Sequence, residues 1–250
     1  MNMNTKNHRA IVVGATSGIG LEVARLLAER GWTVGVAGRR GEVLEALVAN
    51  SPNIVHWREI DVTKADAGSR LMELVETMGG MDLYFHSSGI GYQNASLDET
   101  KELSTIETNC MGMSRMVGEA FRYFAERPDH EGHIAVISSI ACTKGLGAAP
   151  AYSSSKRFTS HYLECLTQLA AIRGLHHLTV TDIRPGFVRT PLIAGSPFPY
   201  QLDVRSVAHG IVRAIERKKK VVTINWVYRL LVFFWQMIPR WVWVRMKIGR

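Results

Sequence analysis

Four side chains in one short stretch, Ser138, Ser139, Tyr152 and Lys156, could move a proton to or from a carbonyl oxygen. Tyr152 and Lys156 lie four residues apart, so on a helix they share a face. An ammonium beside a phenol can lower the phenol's pKa toward neutrality and make it a working acid or base. A hydroxyl from a preceding strand end could hold the carbonyl oxygen next to that phenol. A Tyr-x-x-x-Lys pair alone is common and is usually surface decoration. It gains meaning only after a buried strand and in a chain that also holds a nicotinamide site.

The strand is present. Ile134-Ala135-Val136-Ile137 is a short apolar run of the kind buried on both faces. A Gly/Ala/Pro-rich loop follows it, and a helix is expected from Tyr152 to Gly174. The chain has 250 residues, 46% of them hydrophobic, which suits one large α/β domain with a sizeable core. Cys110, Cys142 and Cys165 have no metal-ligand spacing. No metal is expected, and so sparse and odd a count fits reduced thiols in the cytoplasm. The polar start, MNMNTKNHR, has no apolar signal core. Net charge is +8, with much of the excess near the C-terminus. That balance fits an anionic membrane, a phosphorylated ligand or a nucleic acid. No basic-aromatic array lies outside the tail, so no nucleic-acid partner is expected.

Ala10 to Val13 reads as a first strand. Gly14-Ala15-Thr16-Ser17-Gly18-Ile19-Gly20 follows, and then a helix up to Gly31. Glycines let the backbone approach a pyrophosphate, and a helix N-terminus offers it free N–H groups. The alternative is a plain tight turn. Thr33 to Ala37 is a second strand ending at Gly38-Arg39-Arg40, with no carboxylate before Glu42. An acidic residue there would accept from a ribose 2′-OH, whereas arginine accommodates a 2′-phosphate. NADP(H) is therefore expected over NAD(H), against the alternative of a solvated arginine pair.

Ile54 to Ile60 is a third strand closing at Asp61-Val62, where Asp61 could accept from an adenine amino group or cap a helix from about Lys64. Leu83 to Phe85 is a fourth, followed by His86-Ser87-Ser88-Gly89. Asn109 falls in one helical region, about 98–125, and needs partners if buried: strand-end groups or a water. Leu178 to Ile183 and Val221 to Ile224 complete the strands. Strands alternating with helices argue for a single Rossmann-like, doubly wound parallel sheet with helices on both faces. Gly14, Arg39, Asp61, Gly89, Ser139 and Pro185 all fall at the carboxyl ends of strands, where ligands bind in such sheets.

These residues resemble the short-chain dehydrogenase/reductase family over about residues 8–215. The resemblance rests on Gly14-x-x-x-Gly18-Ile19-Gly20, Asp61-Val62, Asn109, Ser139, Tyr152-x-x-x-Lys156 and Pro185-Gly186. The spacing to Tyr152 matches the family and selects Ser139 over Ser138. The resemblance implies that Tyr152 is the general acid or base, and that Lys156 binds the nicotinamide ribose and depresses the Tyr152 pKa. Ser139 would orient the substrate oxygen, and Asn109 would hold a water. Val188 and Thr190 would contact the carboxamide. Ser17, Arg39 and Arg40 would surround the 2′-phosphate. Homodimers or homotetramers are also expected. One departure is His86-Ser87-Ser88-Gly89, where the family usually has Asn-Asn-Ala-Gly. His86 is read as a structural histidine rather than a titrating one.

Residues 191–203 suggest a lid, in which Leu192, Ile193, Phe198 and Tyr200 could line an apolar pocket among Pro191, Pro197 and Pro199. The alternative is a loop packed on its own domain. Residues 1–225 form the catalytic domain in this reading, and 226–250 an amphipathic helical extension divided at Pro239. Trp226, Leu230, Phe233, Phe234, Met237, Trp241, Val244 and Ile248 recur at helical spacing, with Asn225, Arg229, Gln236, Arg240 and Lys247 opposite. The extension suits a membrane surface, a second subunit or the substrate pocket. The leading expectation is an NADPH-dependent reductase of an apolar ketone or aldehyde, or the reverse alcohol dehydrogenase. The alternative is a non-catalytic NADP(H)-binding or membrane-associated protein with the same fold.

Overall fold

Strands that must be covered on both faces read as unbroken apolar runs, and the central strands here are buried over nearly their whole length. A computed structural model describes residues 8–195, 198 and 200–248; the expected lid prolines Pro197 and Pro199 lie outside the described residues. The strands are β1 Arg9–Val13, β2 Thr33–Gly38, β3 Ile54–Glu59, β4 Leu83–His86, β5 Gly132–Ile137, β6 Leu178–Arg184 and β7 Val221–Thr223. All pair in parallel, in the order β3-β2-β1-β4-β5-β6-β7. The helices are α1 Gly18–Glu29, α2 Gly41–Ala49, α3 Ala67–Thr77, α4 Glu99–Ile106, α5 Met113–Ala125, α6 Pro150–Ile172, α7 Val204–Glu216, α8 Trp226–Met237 and α9 Arg240–Trp243. This is a Rossmann-like doubly wound sheet.

Two apolar layers hold it. On one face α1, α2 and α7 bring Val23, Leu27, Leu44 and Ile211 against Val12 and Val36. On the other, α3, α5 and α6 bring Leu71, Val117, Phe124 and Leu163 against Ile11 and Tyr84. Chain direction across the sheet reverses between β1 and β4, which leaves a crevice at their carboxyl ends.

The sequence reading is altered in three places. The single helix over about 98–125 is two helices joined by a π-helical segment, Glu107–Gly112, carrying Asn109. A Cβ on Gly112 would stand 2.8 Å from Val62 Cγ2, so the segment lies tight against the end of β3. α7 was not anticipated. Its Val207, Ala208, Ile211, Val212 and Ile215 form one buried stripe, and the Asp203 carboxylate accepts from Ser206 N at 2.9 Å as its cap. In the tail, Pro239 does separate two helices, α8 and α9. The face opposite the aromatic stripe, however, is also apolar. Tyr228, Val232 and Trp243 are buried on the domain, with Leu231 and Trp235 partly so.

Candidate active site

The glycine turn between β1 and α1 is shaped by close contacts. Gly14 has φ +89°, and a Cβ there would stand 2.6 Å from Ser88 N. Gly14 N donates to Ala37 O at 2.8 Å, tying the turn to β2. A Cβ on Gly20 would meet Gly14 O at 2.2 Å, so the first turn of α1 sits directly on the loop. Ser17 is the N-cap residue, yet its side chain makes no cap bond. The first amides of α1 are thus left for an anion. Ile19 lies in that first turn. Arg39 and Arg40 are exposed at the end of β2, and Arg40 Nη2 donates to Thr16 Oγ1 at 2.7 Å. These residues fit a phosphorylated dinucleotide: free amides at the turn, no side chain in the way, and two cations at the next strand end.

Asp61 does not cap a helix, because α3 starts only at Ala67, with Asp66 as its N-cap residue. Asp61 Oδ1 instead accepts from Thr63 N at 3.0 Å and Thr63 Oγ1 at 2.8 Å, closing a turn. Partial burial pushes its carboxyl up, but the Thr63 bonds and the nearby Arg39 and Lys64 charges outweigh that and hold it low. Val62 is buried, and its carbonyl accepts from Arg115 Nη1 at 2.7 Å.

Across the crevice, β5 ends in two serines that point to different partners. Ser138 donates to Asp182 Oδ1. Ser139 accepts from Ala141 N at 3.1 Å, and its hydroxyl stands near enough to the Tyr152 phenol to favour the charged form. Pro150 at the first turn of α6 favours the helix start that sets Tyr152 and Lys156 one turn apart. Ser153 Oγ bonds Ala141 O at 2.9 Å, which locks the Ser139 loop to that helix. Lys156 Nζ donates to Ile137 O at 3.0 Å and lies 5.8 Å from the Tyr152 ring centre.

Burial raises the Tyr152 pKa. The Ser139 hydroxyl opposes this, and the neighbouring Cys142 adds to it. Burial also lowers Lys156 to about 8, against the attraction of Asp182. Removal from water dominates at both groups.

Asn109 is buried and occupied. Its Oδ1 accepts from Ile90 N at 2.9 Å, and its Nδ2 donates to Ile90 O at 2.7 Å and Ser155 Oγ at 3.0 Å. The side chain thus clamps the strand-end loop. Gly89 packs here, where a Cβ would lie 3.2 Å from Asn109 Oδ1 and 3.5 Å from Lys156 Nζ. His86 is buried, with Nδ1 2.8 Å from Tyr84 Oη and Nε2 without a partner among the described residues. Burial first, and then the Lys156 charge, lower it to about 3.

After β6, Pro185 O accepts from Ile140 N at 3.0 Å, and Gly186 lies under the Tyr228 ring. Val188 is buried and bridges to Leu202. Thr190 comes back over the nucleotide turn, 3.1 Å from the position of a Gly18 Cβ. Within the expected lid, Phe198 stacks on Phe187 at 4.2 Å and Tyr200 leans on Tyr228, while Leu192 is exposed. An open cleft of about 470 Å³ runs beside Thr190, Ile193 and Gln201. A larger groove of about 810 Å³ lies between α1 and α2, lined by Arg25, Glu29, Ala46 and Asn50 among others.

Two positions were missed by the sequence reading. A Cβ on Gly91 would stand 2.3 Å from Tyr152 Cδ2, so that glycine seats the phenol ring. Asp182 is buried beneath the serines, accepting from Ser160 Oγ and Arg184 Nε at 2.8 Å each. A lone carboxylate in the apolar run 178–183 was the available signal.

Residues 8–197 match the short chain dehydrogenase family. The chain belongs to that family. This short-chain dehydrogenase is 36% identical over 225 residues to an uncharacterized oxidoreductase of Myxococcus xanthus, covering 87% of each chain. It is 28% identical over 249 residues to dehydrogenase/reductase SDR family member 7B of Bos taurus, covering 90% of this chain and 75% of the other. Among solved structures, a variant actinorhodin polyketide ketoreductase with NADPH superposes with a TM-score of 0.75 at 24% identity, covering 89% of this chain and 97% of the other. The protein is a dehydrogenase/reductase that uses a nicotinamide cofactor and acts on a small molecule.

Proposed function

We propose that this chain is an NADP(H)-dependent reductase of ketones or aldehydes on an apolar body, catalysing alcohol oxidation in reverse. The observation that carries the reading is the placement of Ser139 beside the Tyr152 phenol at the carboxyl end of β5, with Lys156 one helical turn along α6 and the Gly14–Gly20 turn across the crevice.

The turn, Arg39, Arg40 and Asp61 would hold the adenosine half, and Gly89, Lys156, Pro185, Gly186, Val188 and Thr190 the nicotinamide half. The bound dinucleotide supplies hydride. Ser139 donates to the carbonyl oxygen and fixes it beside the phenol. Tyr152 gives its proton to that oxygen as negative charge builds there. The Tyr152 phenol carries its proton at neutral pH, as proton donation to the carbonyl oxygen requires. Two exposed cations and no carboxylate at the end of β2 support NADPH over NADH, as does the NADPH in the ketoreductase structure. Pro191, Ile193 and Ala194 lining the cleft support an apolar substrate. Exposed Phe158, Leu169 and Ile172 on α6, with Leu103 and Ile106 on α4, support a homodimer or homotetramer. The free cysteines among the described residues support a cytoplasmic setting.

The test is NADPH oxidation with a panel of apolar ketones. Tyr152→Phe should lower kcat by about a hundred- to ten-thousand-fold while NADPH affinity holds. Undiminished turnover in that variant, or equal efficiency with NADH, contradicts the reading. Tight NADPH binding without turnover of any carbonyl would favour a non-catalytic nucleotide-binding protein.

A further inference from the structure

Eight large apolar side chains of α8, α9 and the residues after them stand in solvent: Trp226 68%, Leu230 49%, Phe233 56%, Phe234 58%, Met237 66%, Trp241 67%, Val244 65% and Met246 43% exposed. The opposite face is already used. Tyr228 and Val232 pack on Ile140, next to Ser139, and on Phe187 and Leu202 of the substrate loop. Tyr228 Oη donates to Tyr200 O at 2.6 Å, Trp243 Nε1 to Gly145 O at 2.7 Å, and Lys144 Nζ to Ile238 O at 2.7 Å. The two helices thus tie the loop after Ser139 to the loop after β6, with one apolar face on the protein and, among the described residues, no partner on the other.

Charge says what covers the outward face. Residues 217–250 hold nine of the 30 Lys and Arg and none of the 22 Asp and Glu, which leaves 21 basic against 22 acidic over residues 1–216. The whole positive excess is in the tail, and exposed Arg229, Arg240, Arg245 and Lys247 stand among the apolar side chains. A second copy docked symmetrically on this face would bring two such clusters together. Anionic lipid would be attracted to it instead. Among the described residues no helix is long and apolar enough to cross a membrane, so the fit is to lie in the interface.

We propose that α8 and α9 seat this protein on an anionic bilayer, holding the substrate loop at the lipid surface so that an apolar carbonyl compound enters from the lipid. The entry route rests on the function proposed above; the docking does not, and it is measured without turnover.

The experiment is flotation of the full chain with vesicles of phosphatidylcholine alone or with 30% phosphatidylserine. Binding is expected on the anionic vesicles and should weaken sharply from low salt to about 0.5 M, where screening is short-ranged. The variant Phe233→Ala/Phe234→Ala/Trp241→Ala should stop floating. Arg229→Gln/Arg240→Gln/Arg245→Gln should lose about a hundredfold in partitioning, near fivefold per charge. Both should bind NADPH as the parent does, which shows them folded. Three results overturn the proposal: no flotation of the parent, flotation indifferent to the apolar variant, or a parent dimer that this variant dissociates while vesicles are ignored. If docking holds while soluble and vesicle-borne ketones are both left unreduced, it is the enzymatic reading that fails.

Discussion

His86 and His133 are buried as neutral imidazoles, and that has a signed consequence for stability. Burial, with Lys156 nearby, takes His86 down to about 3; burial, with Lys218 nearby, takes His133 down to about 4. In the unfolded chain both would bind protons near pH 6.5. Between about pH 6.5 and 4 the unfolded state therefore holds more protons, and folding stability drains away as pH falls through that window. Each histidine contributes a slope of about 1.4 kcal/mol per pH unit. His86→Asn should remove one such slope from urea-unfolding free energies measured between about pH 6 and 4; an unchanged slope would show that His86 is already charged in the fold. At this scale the sequence was informative about identity and poor about state. Tyr152, Lys156 and Ser139 were legible from spacing. The raised phenol was not, because its burial is created by the fold and leaves no mark on the local spacing. Gly91 was invisible, since its role is the space that it leaves for Tyr152.

Between elements, the decisive contacts are those that tie α8 to the substrate loop. Tyr200 holds φ +55°, an unfavourable value for a side-chain-bearing residue, and its carbonyl takes the Tyr228 hydroxyl. Tyr228→Phe keeps the ring against Phe187 and Ile140 but deletes that bond. It should cost about 1 kcal/mol of stability and raise KM for the ketone several-fold, with NADPH affinity unchanged; a KM equal to the parent's would mean that the loop is held elsewhere. Apolar periodicity predicted most elements to within a residue or two. The π segment escaped because one extra residue inside a mostly polar helical stretch only shifts the phase, which Glu107, Thr108 and Asn109 do not report. The α7 stripe is legible in the sequence, since Val207, Ala208, Ile211, Val212 and Ile215 recur at helical spacing. In α8 both faces are apolar, so periodicity could not say which one packs.

For the whole molecule, the parallel sheet was legible because its strands are apolar throughout, while the disposition of the tail had to come from the structure. The concentration of charge on that tail also governs how the purified protein behaves in bulk solution. At low ionic strength, like-charged poles keep molecules apart. Added salt shortens that repulsion to a few ångströms and leaves the exposed tryptophans and phenylalanines free to meet. The hydrodynamic radius from light scattering should therefore grow as sodium chloride rises from about 0.05 to 1 M, and stay constant in Phe233→Ala/Phe234→Ala/Trp241→Ala. A colloid that is dispersed by dilute buffer and clouded by brine is the reverse of ordinary salting-in, and it follows from placing grease and cations in the same short tail.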